Sequence, residues 1–283
     1  MDSKFSGPPL AIHGETPVKV LILCGGLGSR LAGAAGDLPK PMVPVGGKPM
    51  VWHIMQGFAH WGYHDFVLCL GYRSDLFKQY FLNLSTMLND VTLDLGSGAP
   101  PVVHQRPHEI DWTITLAETG LDSLTGARVK RGGAFVPAGD ELFAVTYGDG
   151  VTNLDFRKVV AFHRAHGKMA TVTAVHPPGR FGELAFGDCG RVEEFNEKPQ
   201  ASSGWISGGF FVFSRAFLDR LCDREDLMLE REPLQQLARD GELMAYQHDD
   251  FWFCIDTPRD YHQMAEMWAS GRSPWVVWNR PSR

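Results

Sequence analysis

Residues 18–30 read VKVLILCGGLGSR: seven largely apolar residues pass without a break into Gly25, Gly26 and Gly28, with Ser29 and Arg30 close behind. A short run that is apolar on both sides reads as a strand covered on both faces, and such strands belong to sheets wound with helices. The following segments supply the covering. Spacing predicts a helix near 50–61, a strand at 65–70, a helix near 74–84, a strand at 141–149 and a helix at 155–167 closed by Gly167. Further strands are expected at 169–175, 208–213 and 251–256, with a hairpin in LAFGDCGRVEEF and a last helix near 258–271. Strand and helix in alternation predict an α/β fold with a mostly parallel central sheet, flanking helices and inserted β-hairpins. Leu76, Phe77, Tyr80, Phe81 and Leu84 recur at three- and four-residue spacings, so this aromatic face is core.

No linker is visible after residue 17, so residues 18–283 read as one domain. Residues 1–17, rich in Gly and Pro and without periodicity, read as a flexible N-terminal extension. The net charge of −6 argues against a nucleic-acid or anionic-membrane partner and favours small molecules or other protein chains. The N-terminus has no signal-peptide pattern, and no apolar run reaches the roughly 18 residues a membrane span needs. The expected compartment is the cytoplasm. The five cysteines are odd in number and lack C-x-x-C spacing, which reads as small buried residues rather than a metal or disulfide framework. The histidine pairs His60/His64 and His163/His166 have no third ligand nearby in sequence and do not read as zinc sites.

Four short stretches carry chemistry. A strand ending in glycines exposes backbone N–H groups, so Gly25, Gly26 and Gly28 can cradle a phosphate chain while Arg30 adds a cationic fork. The pattern is neither a P-loop nor G-x-G-x-x-G, and a plain tight turn is the competing reading. In PKPMVPVGGKP, Lys40 stands between Pro39 and Pro41, which stiffen the backbone and deliver its ammonium with little freedom left to lose. YGDG and FCIDT end two strands in Asp149 and Asp256, expected in one sheet and able to converge on a hard divalent cation such as Mg²⁺. For Asp256, just ahead of TPRD, a helix N-cap is the alternative. In EKP, Glu197 and Lys198 suit a ligand with hydroxyls and a phosphate.

Taken together, GGLGSRL, PKPMVPVGGKPMVWHIM, WTITLAETGLDSLTGARVKR, TYGDGV, PPGRFGEL, EKP, GGFFVF, EPLQQLARDGELMAY and DTPRD resemble the sugar-1-phosphate nucleotidyltransferases. Within them the SLTGAR segment, PPGRFG and the EPL-to-GELMAY run resemble the glucose-1-phosphate cytidylyltransferase family. The resemblance implies a Rossmann-like nucleotide-diphospho-sugar transferase fold. It also implies a nucleotide site of Leu23, Cys24, Gly25, Gly26, Gly28, Ser29, Arg30, Lys40, Ser123, Arg128 and Gly148, a sugar-phosphate site of Glu197, Lys198 and Gly209, and Mg²⁺ held by Asp149 and Asp256. Arg30, Lys40 and Lys198 are the implied catalytic residues, and CTP and a sugar 1-phosphate the implied substrates. A homo-oligomer is implied too; SPWVVW near the C-terminus, with Trp275 and Trp278, either serves that contact or packs back on its own chain. Ser207 stands where the family commonly has Asn, Ser29 where Thr is usual, and DTPRDY replaces DTLRDK.

A phosphate monoester with a second pKa near 6 is already nucleophilic at neutral pH, which accounts for motifs without a histidine dyad or activated serine. The implied reaction is in-line attack on the α-phosphate of CTP with loss of pyrophosphate, the protein offsetting charge rather than moving protons. Another nucleoside triphosphate, another sugar 1-phosphate, or a silent sugar-nucleotide-binding homologue remain alternatives at this point. Arg128→Ala is expected to impair CTP use and leave the fold intact.

Overall fold

A computed structural model describes residues 18–26, 37–104, 110–177, 183–186, 192–196 and 204–278. The expected extension 1–17 and the site residues Gly28, Ser29, Arg30, Glu197 and Lys198 lie outside the described residues.

The chain begins with β1 (Lys19–Leu23), then two short paired strands, β2 (Pro44–Val45) and β3 (Lys48–Pro49), and α1 (Met50–His60). Next come β4 (Asp65–Leu70), α2 (Ser74–Leu88), the small hairpin of β5 (Asp90–Thr92) and β6 (Val102–His104), and β7 (Thr113–Glu118). After α3 (Thr125–Gly132), β8 (Leu142–Tyr147) and β9 (Gly150–Thr152) lead into α4 (Phe156–His166) and β10 (Ala170–Val175). The expected hairpin is β11 (Glu183–Phe186) with β12 (Val192–Asn196). The chain continues through β13 (Ile206–Ser214), α5 (Phe217–Arg220), α6 (Glu232–Arg239), β14 (Leu243–His248), β15 (Trp252–Cys254) and α7 (Pro258–Ala269).

Among the described residues, seven strands form the central sheet in the order β14-β10-β13-β8-β1-β4-β7. All neighbours are parallel except those of β13, which runs antiparallel to β8 and β10. Alternate side chains of β1 feed two cores. Val20 and Ile22 join Met50, Phe58, Phe77, Val159 and Met264 on one face, whereas Leu21 and Leu23 join Ala127, Val129, Phe217 and Leu237 on the other. Burial of β1 on both sides is therefore the physical reason for its unbroken apolar run. Helix ends follow local chemistry: the Asp155 side chain accepts from Arg157 N ahead of α4, and Gly167 closes that helix at φ 63°.

Two expectations change. The 251–256 segment is not a strand of the central sheet; β15 pairs antiparallel with β9 in a separate two-stranded ribbon. Cys222 is exposed and Cys254 half-buried, whereas Cys24 and Cys69 are buried as expected. The C-terminal alternative is resolved within the described residues. Trp275 is buried against His53, Phe251 and Trp268, and Trp278 meets Trp52, so SPWVVW packs on its own chain.

Candidate active site

The parallel register pairs Leu23 of β1 with Tyr147 of β8, so the segments leaving both strands emerge side by side at the carboxyl edge of the sheet. That edge is where open α/β sheets bind ligands. Gly148 N donates to Leu23 O at 3.1 Å, and a Cβ on Gly148 would come within 2.5 Å of Pro41, so only glycine permits this approach. The result is a cavity of about 360 Å³ lined by Leu23, Cys24, Gly25, Gly26, Lys40, Ser123, Leu124, Thr125, Arg128, Tyr147, Gly148, Asp149 and Asp256, among others. Every described residue of the expected nucleotide set therefore meets around one space.

Arg128 takes an unexpected part in that wall. It is 4% exposed, and its guanidinium donates to Leu70 O, Gly120 O and the Thr119 hydroxyl from Nη1 and to Gly25 O and Leu121 O from Nη2, at 2.8 to 3.1 Å. A Cβ on Gly25 would lie 2.0 Å from Nη1. Arg128 is thus a buried clasp beneath the start of the glycine segment, and the expectation that its removal would leave the fold intact gives way to this geometry. Burial draws its pKa below the ordinary arginine value, and a fixed positive charge stays under the loop. Ser123, also buried, accepts from Arg131 Nη1 at 2.7 Å.

Lys40 begins a short 3₁₀ turn between Pro39 and Pro41. Its Nζ lies 2.6 Å from Asp256 Oδ1 and 3.1 Å from Asp149 Oδ2. These carboxylates, 107 residues apart in sequence, are joined by the β9–β15 ribbon. Gly150 pairs with Cys254, and Ile255 N donates to Asp149 O at 2.9 Å, so Asp256 arrives beside Asp149. The capping alternative for Asp256 falls away, since Thr257 caps α7 in a capping box with Asp260. Burial pushes the Asp149 carboxyl above its ordinary pKa against the pull of Lys40. For Lys40, burial opposes the charge, and the two carboxylates outweigh it to hold its pKa above the usual lysine value. Two carboxylate oxygens converging on one ammonium are hard donors around a cation position, which fits Mg²⁺ carried in on a triphosphate that supplies further oxygens.

A second cavity, about 210 Å³, adjoins the first across Tyr147, Asp149 and Asp256 and is lined also by Ser207, Gly208, Gly209, Phe210, Trp252 and Cys254. Gly209 sits at φ 77°, and a Cβ there would come within 2.4 Å of the Tyr147 ring. Trp252 Nε1 donates to Gly208 O at 2.8 Å and pins β13 to the ribbon. Tyr147, Thr125 and Trp252 were not singled out from the sequence. Tyr147 stands next to the glycine-flanked Asp149 and Thr125 inside SLTGAR, so adjacency to the motifs was the available signal. Among the described residues, no group of three or more His, Cys, Asp or Glu side chains is arranged to hold a metal.

The fold and this carboxyl-edge site define a class: the chain belongs to the nucleotidyl transferase family, whose pattern matches residues 19–270. Within that class, it is 44% identical over 261 residues to the glucose-1-phosphate cytidylyltransferase of Salmonella typhi, spanning 92% of this chain and 100% of that one. It is 28% identical over 249 residues to a mannose-1-phosphate guanyltransferase of Neurospora crassa, spanning 86% of this chain and 62% of that one. The fold is shared with the crystal structure of HddC from Yersinia pseudotuberculosis, at a TM-score of 0.62 and 22% identity over 89% of this chain and 99% of that one.

Proposed function

We propose that this protein transfers the cytidylyl group of CTP to α-D-glucose 1-phosphate, forming CDP-glucose and pyrophosphate. The observation that carries the reading is the pair of cavities that share Tyr147, Asp149 and Asp256, with Lys40 in the first cavity beside both carboxylates: two anionic substrates entering from either side would meet there, where Lys40 and a Mg²⁺ held by the carboxylates would offset their charge. The 44% identity to cytidylyltransferases supports cytidine as the base and glucose as the sugar.

In this reading Leu23 and Cys24 lie by the ribose and base, the backbone of Gly25, Gly26, Gly28 and Ser29 holds the triphosphate, and Arg30 receives the departing pyrophosphate. Ser123 and Arg128 shape the base side, and Gly148 lets the nucleotide approach the backbone. Glu197 binds sugar hydroxyls, Lys198 the sugar phosphate, and Gly209 admits the sugar to β13. The sugar-phosphate oxygen attacks the α-phosphorus as the bond to the pyrophosphate oxygen breaks, and no proton need move. Mg²⁺ held by Asp149 and Asp256 would neutralise triphosphate charge. Lys40, which lies against both carboxylates, would offset charge on the α-phosphoryl oxygens.

A CTP-consuming enzyme works where CTP is made, so the cytoplasm is the compartment this reading requires; no described helix is long and apolar enough to cross a membrane. We extend the reading to a homo-oligomer, for which exposed Leu82, Met87, Leu93 and Leu95 around the α2–β5 corner offer apolar surface and light scattering is the test. Pyrophosphate release tests the activity. It should require CTP, Mg²⁺ and glucose 1-phosphate together, and release that persists without the sugar phosphate would contradict the reading.

A further inference from the structure

Glu230, ahead of α6, belongs to none of the motifs assigned above, yet its two carboxylate oxygens serve two different walls of the site. Oε2 accepts from the Thr125 hydroxyl at 2.6 Å, and Oε1 accepts from the Tyr147 hydroxyl. Thr125 opens α3 and lines the first cavity, whereas Tyr147 ends β8 and lines both. Each partner is braced from behind. Leu229 N donates to Thr125 Oγ1 at 2.9 Å, Gly126 N donates to Leu227 O at 2.9 Å, and the Tyr147 ring rests against the bare backbone of Gly209 with Phe211 edge-on at 6.2 Å.

A carboxylate beside a site for two polyanions carries an electrostatic cost that an amide would avoid. What it offers is two equivalent acceptor oxygens, so two hydroxyls from separate elements can be held by charge-assisted bonds at once, whereas Gln has a single acceptor oxygen. We infer that Glu230 is a positioning residue: it ties Tyr147 to Thr125 and thereby fixes the wall between the nucleotide cavity and the sugar-phosphate cavity. This rests on the two-cavity reading above. In-line displacement needs attacking oxygen, phosphorus and leaving group aligned, and a wall displaced by about 1 Å costs on the order of a hundredfold in rate.

The test is steady-state kinetics of Glu230→Ala, Glu230→Gln, Tyr147→Phe and the double variant Glu230→Ala/Tyr147→Phe, with thermal midpoints for each. The nucleoside triphosphate is the one the wild-type protein uses best, so a wrong base assignment shows in the wild type and does not count against Glu230. Glu230→Ala is expected to lower kcat about ten- to a hundredfold while the nucleotide KM changes less, because alignment rather than binding is lost. Glu230→Gln should recover part of that loss, and the double variant should be little worse than the worse single one. Losses that multiply in the double variant, wild-type kcat in Glu230→Ala, or a Gln variant as poor as the Ala variant would overturn the inference. Should Glu230→Ala fail to fold, the comparison of Glu230→Gln, Tyr147→Phe and their double variant decides by the same rule.

Discussion

Removal of the Arg128 side chain gives the sharpest separation between a clasp and a plain ligand contact. Arg128→Ala strips the guanidinium from four backbone carbonyls, those of Gly25, Leu70, Gly120 and Leu121, and from the Thr119 hydroxyl. An orphaned buried acceptor costs about 1–3 kcal/mol, and water entering from the adjoining cavity repays part of it, which leaves roughly 3–5 kcal/mol. At about 2–4 °C per kcal/mol for a domain of this size, the thermal midpoint without nucleotide should fall by roughly 6–20 °C. Arg128→Lys keeps the charge and forfeits the planar fork, so it should fall between Ala and wild type. Calorimetry of the three proteins without nucleotide reads this directly. CTP use should also drop, since Gly25 loses the donor that fixes its carbonyl. A midpoint for Arg128→Ala within about 2 °C of wild type would refute the clasp.

Gly209→Ala must hold a non-glycine residue at φ 77° and displace the Tyr147 ring, a strain of about 1–3 kcal/mol, and should impair sugar-phosphate use more than CTP use in initial-rate kinetics. Asp149→Asn and Asp256→Asn should each abolish most turnover and raise the Mg²⁺ requirement, the double variant being little worse than either; titration of turnover against Mg²⁺ reads this, and near-normal activity of Asp256→Asn would remove it from the metal site. Lys198→Ala should lower kcat/KM for the sugar phosphate by about ten- to a hundredfold with CTP binding largely kept, measured by varying each substrate in turn. Buried His53 and His163 have their pKa values lowered to about 4, by burial first. Because the unfolded value is about 6.5, their stabilising contribution is complete above pH 6.5 and is lost as pH falls toward 4, at up to about 1.4 kcal/mol per pH unit each. Urea unfolding of His53→Phe against wild type from pH 7 to 4.5 should show a shallower decline in the variant.

The central sheet was legible where a strand's own burial wrote itself into the residues: β1 and β4 are apolar on both faces and fall where expected, and α4 carries its cap and closing glycine. β7 and β14, at the sheet edges and only half-buried along much of their length, left no such run and went unmarked. The convergence of Asp149 and Asp256 was expected from strand ends, but the ribbon that produces it was not. β9 and β15 are three residues each, and their pairing is a tertiary fact that no local spacing records. Lys40 between its prolines was readable as a delivered cation; its grip on both carboxylates depends on the fold. Arg128 stood out as a polar residue in a motif, and its burial beneath Gly25 could be seen only once α3 was packed against β1 and β4.

The most direct measurement is a competition: the wild-type protein with Mg²⁺, equimolar CTP, UTP, dTTP, GTP and ATP, and equimolar glucose, galactose and mannose 1-phosphates, with products resolved by mass spectrometry at low conversion. The account predicts a cytidine diphosphate hexose as the main product, with CDP-glucose identified by repeating the reaction on each sugar phosphate alone. A uridine, thymidine, guanosine or adenosine diphosphate sugar in its place, or no nucleotide sugar at all, would contradict it.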